Sequence, residues 1–189
     1  MKRVIALSIV VFVSGAVGSR VFSDDKKPDW TEMDKPGEFH KKLEPLVGEF
    51  DVDVKFYMPG AAEPAVSKGS MKSHWIHDGR FIESRFESDM AGKKFTGTAL
   101  IGYDNYAKSY TEVWADSTQT PISVVRGSVD DAGKVFTFTQ GLTDAAGKKA
   151  TQKWVTTVES NDKYVFTLSN TGEDGVEHKV LEDTYTRKK

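Results

Sequence analysis

The chain has 189 residues, a formal net charge of −2 and no cysteine. This length accommodates one domain preceded by an export segment, and the weak acidity argues against a protein that binds nucleic acid through a basic surface. The lack of cysteine excludes disulfides, thiolate nucleophiles, cysteine zinc sites and iron–sulfur clusters.

The N-terminal residues 1–23 follow the order of a secretory signal. Lys2 and Arg3 precede an apolar run over 4–13, and mostly small residues follow at 14–19. The run is shorter than the about 20 apolar residues that a bilayer-spanning helix needs. We therefore expect residues 1–23 to be a cleaved signal peptide, with an uncleaved membrane anchor as the alternative. The mature protein would be exported, to the periplasm or out of the cell, without a stable membrane span.

A linker and a short helix are predicted to follow. Residues 24–36 are polar and contain two prolines, which is typical of a flexible linker. Asp34 can cap a helix that ends at Pro45, with Leu43 on its apolar face. His40 is expected to face solvent on this helix. Beside a barrel, a helix of this kind closes one end.

From Phe50 onward, apolar and polar residues alternate in short segments, which predicts strands with one buried face. Glycine, asparagine and aspartate stand between the segments, and these residues tolerate the backbone of tight hairpin turns. The predicted strands are Phe50–Phe56, Lys68–Ile76, Phe81–Met90, Lys94–Tyr103, Ser109–Asp116, Ile122–Val129, Val135–Gly141, Ala150–Glu159, Tyr164–Asn170 and Val176–Arg187.

About ten short strands joined by hairpins, without a helix-length insertion, predict one all-β domain over residues 37–189. A closed antiparallel up-and-down β-barrel leaves no exposed strand edges. A two-sheet sandwich is the alternative, but it normally contains longer crossovers than this sequence offers. We therefore predict a lipocalin-like barrel with a short N-terminal helix. Its interior would hold either side chains or one small ligand.

Several segments carry a family resemblance: Leu43–Phe50 (LEPLVGEF), Gly102–Ser117 (GYDNYAKSYTEVWADS) and Gly127–Phe138 (GSVDDAGKVFTF). Together with the ending Glu182–Lys188 (EDTYTRK), they resemble an uncharacterised bacterial domain-of-unknown-function family, family 1579, which is grouped with the lipocalin-like (calycin) barrels. The resemblance implies the barrel fold and no agreed activity. One position departs from related barrels, since Phe50 stands where many of them carry tryptophan.

Glu112 is the most informative candidate for a functional side chain. It lies between Tyr110 and Trp114 on one strand face, and the bulk of these rings favours an inward direction. Burial there would raise the pKa of its carboxyl, whereas on an outward face it would be an ordinary surface residue. The side chains predicted to line the interior and contact a ligand are Met71, Trp75, Tyr110, Glu112, Trp114, Trp154 and His178.

The histidines do not predict a metal site or a cofactor. His74 and His77 have a His-x-x-His spacing, but positions i and i+3 of a strand face opposite sides. His178 lies in the last predicted strand on one face with Val176 and Val180. Small haem-binding barrels similar in architecture use a histidine near the chain end, so haem binding through His178 is a minor alternative to a structural or rim position.

The motifs of common enzymes are missing from the sequence. It contains no Gly-x-Ser-x-Gly elbow, no phosphate-binding glycine loop and no His-Glu-x-x-His. The leading hypothesis is therefore an exported barrel that binds a small apolar or amphipathic molecule. The alternatives are a barrel enzyme that uses Glu112 or His178 for proton transfer, and a structural or interaction protein with a filled core.

Overall fold

The computed structural model describes residues 30–90, 92–143 and 147–189, so the predicted signal peptide lies outside the described residues. Helix α1 (Trp30–Met33) is followed by helix α2 (Glu38–Lys41) and the 3-10 helix η1 (Glu44–Leu46). The strands of the described residues are β1 (Gly48–Phe56), β2 (Ala65–Ile76), β3 (Phe81–Met90), β4 (Lys93–Asp104), β5 (Ser109–Asp116), β6 (Ser123–Val129), β7 (Val135–Thr143), β8 (Lys149–Ser160), β9 (Lys163–Thr171) and β10 (Glu177–Arg187).

The strands form a closed antiparallel barrel. Each strand pairs with its neighbours in sequence, and β1 pairs with β10 to complete the circle. This confirms the predicted up-and-down β-barrel and excludes the sandwich alternative. Because the first and last strands pair along their length, from Phe50 opposite Arg187 to Phe56 opposite Leu181, neither is left with a free edge.

Strict alternation places the core inside the barrel. In β1, the side chains of Phe50, Val52 and Val54 are buried, whereas the acidic and basic residues between them are exposed. Successive side chains of a strand point to opposite faces, so a period of two separates the interior from the solvent.

The two ends of the barrel differ. Helix α2, η1 and the turns β2–β3, β4–β5, β6–β7 and β8–β9 lie at one end, called the helix end here, and the remaining connections lie at the loop end. The Tyr110 hydroxyl donates to the carbonyl of Phe39 at 2.8 Å, and Trp75 Nε1 donates to Glu44 Oε2 at 2.8 Å. These bonds tie α2 and η1 to β5 and β2, so the N-terminal helix closes one end, as predicted.

The helical region departs from the prediction in two ways. It is split into α2 and η1, because Pro45 has no N–H to continue the hydrogen-bond ladder of α2. The prediction that His40 faces solvent is wrong, since its side chain is 5% exposed and its Nδ1 accepts from the Gly37 N–H at 3.0 Å. Burial lowers the pKa of His40; a hydrogen bond with the Tyr103 backbone opposes this shift and nearby Arg80 adds to it.

Part of the predicted linker is bound to the barrel. Asn105 Nδ2 donates to the carbonyls of Met33 and Lys35 at 2.7 and 2.9 Å, and the Tyr106 hydroxyl donates to Asp34 Oδ1 at 2.6 Å. Residues 33–35 therefore lie against the β4–β5 turn. Among the described residues, no helix combines the length and apolar character needed to cross a membrane.

A bulge in β10 changes which residues face the interior. Lys179 pairs with Ser169, but the next pair is Leu181 with Leu168, so Val180 is an extra residue in the ladder. Beyond the bulge the odd-numbered residues Leu181, Asp183, Tyr185 and Arg187 share the interior face of their partners.

Candidate functional site

The interior is packed like a protein core at the helix end. Tyr110 and Phe136 are fully buried and meet edge to face with ring centroids 5.2 Å apart. Phe50, also fully buried, packs edge-on against Tyr164 at 5.1 Å. Leu43 lies in the connection between α2 and η1 and is 0% exposed. Aromatic rings therefore fill the helix end, and α2 and η1, together called the helical cover, close it.

Apolar side chains nearer the loop end remain partly accessible. Trp114, Phe166, Leu168 and Leu181 are half-buried, although cross-strand pairing puts them on the interior face of the barrel. By contrast, Phe50, Tyr110 and Phe136 on the interior face toward the helix end are fully buried. The loop-end half is therefore the less tightly filled part of the interior, and a barrel of this kind can hold a small ligand there.

An aromatic wall lines this half. Trp114 stacks against Phe95 with centroids 6.5 Å apart, and Phe95 meets Phe86 at 5.8 Å. Gly97 makes the arrangement feasible, because a side-chain carbon placed there would lie 2.2 Å from the Trp114 indole. A Cβ at this position would force the ring to move.

Glu112 lies in the middle of the barrel on β5. Its cross-strand partners are the buried residues Ile101 and Val125, so its carboxyl faces an apolar interior. Burial raises the pKa of Glu112 to about 7. The side chain nevertheless keeps part of its surface accessible. A group that is desolvated by its surroundings and still accessible lines an internal space.

Asp183 is a second acidic residue of the interior. It is 5% exposed and lies opposite Val54 and Phe166. Its Oδ2 accepts a long hydrogen bond of 3.4 Å from the Tyr185 hydroxyl, and its Oδ1 has no partner among the described residues. Burial raises the pKa of Asp183 to about 7, against the smaller opposing effect of the Tyr185 bond.

Two tyrosines lie on the same interior face as Asp183. Tyr164 and Tyr185 stack with centroids 4.2 Å apart. Burial raises the pKa of both phenols well above its usual value, and the charges of Glu112 and Asp183 raise it further. Both carboxyls and both phenols lie on interior-facing strand positions of the barrel.

The loop end carries a fixed negative charge at Asp116. Its carboxylate accepts hydrogen bonds from Trp114 Nε1 at 3.0 Å, from the backbone and hydroxyl of Thr118 at 2.8 and 2.6 Å, and from Gln119 Nε2 at 2.8 Å. Burial acts to raise the pKa of Asp116, but these bonds together hold it below its usual value. The carboxylate therefore also fixes the Trp114 indole.

Amide side chains form a polar row on the other strands of this end. Gln152 Oε1 accepts from Trp154 Nε1 at 2.7 Å and from Gln140 Nε2 at 2.8 Å, and Gln152 Nε2 donates to Asn170 Oδ1 at 3.1 Å. A depression of about 610 Å³ opens beside this row between β7, β8 and β9. The loop end thus combines apolar walls with a polar rim.

Sequence comparison assigns the family. The profile of the family described as "Protein of unknown function (DUF1579)" matches residues 35–187. The chain belongs to this family. The resemblance inferred from the sequence segments is thereby confirmed. No curated protein sequence matches the DUF1579 chain.

Two solved structures share the fold of this DUF1579 barrel. The crystal structure of Rv2717c from M. tuberculosis has a TM-score of 0.55 and 14% identity, and the match covers 82% of this chain and 100% of Rv2717c. The S-type phycobiliprotein lyase CPES from Guillardia theta has a TM-score of 0.55 and 10% identity, with 82% and 99% covered. At these identities the likeness concerns the fold alone.

The residues predicted as a site divide into three groups. Glu112, Trp114 and Trp154 face the interior toward the loop end, and Trp154 packs edge-on against Phe166 at 5.9 Å. Met71 and Tyr110 are buried in the packed core. The two remaining residues, Trp75 and His178, lie elsewhere.

Trp75 and His178 lie at opposite ends of the DUF1579 barrel. Trp75 is hydrogen-bonded to Glu44 at the helix end, which gives it a structural role in holding η1. His178 is exposed at the loop end, in register with Asn170. Among the described residues, no three histidine or acidic side chains gather as metal ligands, and His74 and His77 are both exposed.

Sequence reasoning missed Asp183 as an interior residue. The sequence pattern places His178 on one face with Val176 and Val180 and assigns no face to the residues after them, and the bulge at Val180 changes the phase of the strand there. A signal was present, because Leu181 and Tyr185 alternate with Asp183 in the phase of a buried face. Because Asp183 is itself polar, a search for apolar alternation does not mark it as an interior residue.

A groove on the outer surface is the other large concave feature. It measures about 480 Å³ and lies between residues 33–35 and the outer faces of β3, β4 and β5, with Phe81, Leu100 and Val113 in its wall. Arg80 donates to the Asp34 carbonyl at 3.1 Å across it. Since this groove carries the contacts that hold residues 33–35, we assign it a structural role.

Proposed function

We propose that this DUF1579 protein is an exported barrel that binds a small apolar or amphipathic molecule in its loop-end half. One observation carries the proposal: Phe50, Tyr110 and Phe136 are fully buried toward the helix end, whereas Trp114, Phe166 and Leu168 stay partly accessible toward the loop end. Ligand sites of soluble proteins combine an apolar wall with a few placed polar groups. Trp114, Phe166 and Leu168 supply the wall, and Glu112 and Asp183 supply the polar groups.

Binding would be driven by removing the apolar surface of the ligand and the wall from water. The fixed Trp114 indole offers a preformed flat surface, which lowers the ordering cost of binding. The fold neighbours differ too much in sequence to specify a ligand. The chemistry is therefore argued from the interior of this chain alone.

A fluorescent titration tests the proposal. N-phenyl-1-naphthylamine, a neutral apolar probe, should brighten on addition of the purified protein and saturate at one probe per chain. Leu168→Ala removes part of the wall and should weaken binding several-fold, since each buried CH₂ contributes about 0.8 kcal/mol. Leu100→Ala makes the same change on the outer face, where Leu100 is 37% exposed, and should leave the titration unchanged. No saturable signal from the wild-type protein would refute the proposal.

Export rests on the order of positive, apolar and small residues in 1–23. A fusion of these residues to a reporter that is active only outside the cytoplasm should be active in a bacterial host. Replacing Lys2 and Arg3 by glutamate should abolish that activity, because the positive region directs the segment to the membrane. A reporter that stays in the cytoplasm with the native segment would refute export.

Glu112 supports a second candidate, a barrel enzyme. A carboxyl with a pKa raised to about 7 can both accept and donate a proton near neutral pH. His178, the other proton-transfer candidate, is exposed. Conversion of a bound molecule by the wild-type protein and not by Glu112→Gln would favour the enzyme over the binding protein.

A further inference from the structure

Within the described residues, the interior of the barrel holds acidic groups that form no ion pair with a basic side chain. Glu112 and Asp183 both face it, whereas Arg187, the basic residue on an interior-facing position of β10, is engaged at the helix end. Its guanidinium donates to the carbonyls of Val47, Pro45 and Asn161 at 2.6 to 3.1 Å. It is therefore not available to neutralise either carboxyl.

Asp183 has a specific unfilled requirement. Its Oδ1 is buried and accepts no hydrogen bond within the described part of the chain. The groups around it are Val54 on β1, Phe166 on β9 and the two stacked phenols of Tyr164 and Tyr185. Native proteins rarely leave a buried oxygen without a donor. A donor that comes from outside the chain would satisfy it.

The Glu112 carboxyl, on the other side of the interior, also lacks a hydrogen-bond donor from the residues that the structure describes. No hydrogen bond to its carboxylate occurs among the described residues, and its strand neighbours across the sheet are the aliphatic Ile101 and Val125. An ionised carboxylate in apolar surroundings is costly unless a cation or a donor pairs with it. A positively charged hydrogen-bond donor would therefore stabilise either carboxylate.

Building on the proposed ligand-binding function, we propose that the ligand carries a protonated amine, which Asp183 Oδ1 and the Glu112 carboxylate hold in the barrel interior. Its apolar part lies against Trp114, Phe166 and Leu168. An ammonium group has three donors and one positive charge, which are what an interior carboxylate oxygen without a donor lacks. A carboxylate-bearing ligand such as a fatty acid would place a third negative charge beside them and bind weakly. The anionic Asp116 at the loop end adds to the attraction for a cation on its way in.

Three probes of equal chain length separate head-group chemistry from apolar burial. Decylamine, decanol and decanoate are each used to displace N-phenyl-1-naphthylamine at about pH 8, where both interior carboxyls are mainly ionised. Decylamine should displace the probe at a concentration at least ten-fold lower than decanol, because a hydrogen bond to a charged group is worth about 1.5–3 kcal/mol. Decanoate should be the weakest of the three.

Matched variants identify the groups responsible. Asp183→Asn and Glu112→Gln should each reduce the preference for decylamine over decanol about ten-fold. Asp53→Asn and Glu87→Gln make the same chemical changes on exposed outward positions of β1 and β3, and they should keep the wild-type preference. If Asp183→Asn does not fold, the preference for decylamine over decanol in the wild-type protein and in Glu112→Gln still tests the inference.

The outcomes separate this inference from the proposed function. If decanol and the neutral probe bind but decylamine binds no better than decanol, the amine inference is overturned and the ligand-binding barrel stands. A preference that persists in both interior variants also overturns it. If neither decanol nor the probe binds the wild-type protein, the proposed function itself fails.

Discussion

The carboxyl of Asp183 couples the stability of the barrel to pH. Burial raises the pKa of Asp183 from 3.8 to about 7 on folding, with the Tyr185 bond opposing the shift. An acid with a raised folded-state pKa holds its proton in the native protein while the unfolded chain has already released it. The contribution of Asp183 to stability is therefore most favourable at low pH and is lost as the pH rises from about 3.8 through about 7, by up to about 4 kcal/mol.

Asp183→Asn should remove this loss. We expect the difference in melting temperature, variant minus wild type, to grow by several degrees between about pH 5 and pH 8, because the amide does not ionise. Differential scanning calorimetry across this range measures it. Asp53→Asn, on the outer face of β1, serves as the control and should follow the wild-type curve. A parallel curve for Asp183→Asn would show that Asp183 is not desolvated in the folded protein.

The absence of a Cβ at Gly97 should determine the position of Trp114 in the candidate site. In Gly97→Ala the new Cβ would meet the Trp114 indole at 2.2 Å, so the ring must leave its place. We expect a shifted tryptophan emission, several-fold weaker probe binding and a stability loss of about 1–3 kcal/mol. Gly141→Ala, in β7, introduces its Cβ into open space and should change none of these. Unaltered probe binding in Gly97→Ala would remove Trp114 from the site.

Single residues also mark where sequence reasoning reached its limit. The direction of Glu112 follows from its flanking aromatics, because Tyr110 and Trp114 are too large to leave in water. The burial of His40 does not, since it depends on contacts with Tyr103 that no local pattern encodes. Asp183 was missed although Leu181 and Tyr185 alternate with it, because the bulge at Val180 breaks the phase of the strand and bulges have no reliable sequence signature.

At the scale of elements, the strands were predictable and the helical cover was less so. Alternation and turn residues defined β3 and β5 at the bounds that the structure has, and the other strands within a few residues. These features are local, with a period of two that short segments display fully. The division of the cover into α2 and η1 depends on how it meets the barrel. A dozen residues do not carry that information.

The cover is fixed to the barrel by Arg187, which donates to carbonyls of η1, of the segment before β1 and of the β8–β9 turn. Arg187→Ala should cost about 2–4 kcal/mol in urea unfolding, because it leaves these acceptors without donors. Arg187→Lys should recover part of the loss, since it keeps the charge without the fork of donors.

Lys188→Ala is the matched control for Arg187. Lys188 forms an exposed ion pair with Asp51 at 3.3 Å, and its loss should cost less than about 1 kcal/mol. Probe binding at the loop end should stay unchanged in the variants that fold, because the cover lies at the other end. An Arg187→Ala protein as stable as the wild type would mean that α2 and η1 hold without it.

For the whole molecule, closure depends on the two ends of the chain. The sequence predicted a closed barrel because hairpins account for the neighbouring strands and an open meander would leave two free edges. It did not specify the pairing of β1 with β10, which joins Phe50 to Arg187 across nearly the entire domain. Such long-range pairing follows from the geometry of the complete circle. It also slows folding, because a large loop must close before the contact forms.

Removal of β10 should therefore do more than remove one strand. A protein that ends at Gly175 would lose the partner of β1 and of β9 and expose both edges, together with the apolar interior that Leu181 and Tyr185 cover. We expect loss of the cooperative thermal transition and association into large species in size-exclusion chromatography. As a control, a protein that lacks only Lys189, which lies beyond β10, should elute at the same volume as the wild type and melt at the same temperature. If the truncated protein still melts cooperatively and binds the neutral probe, nine strands are able to form a closed barrel. The fold would then not depend on the pairing of β1 with β10.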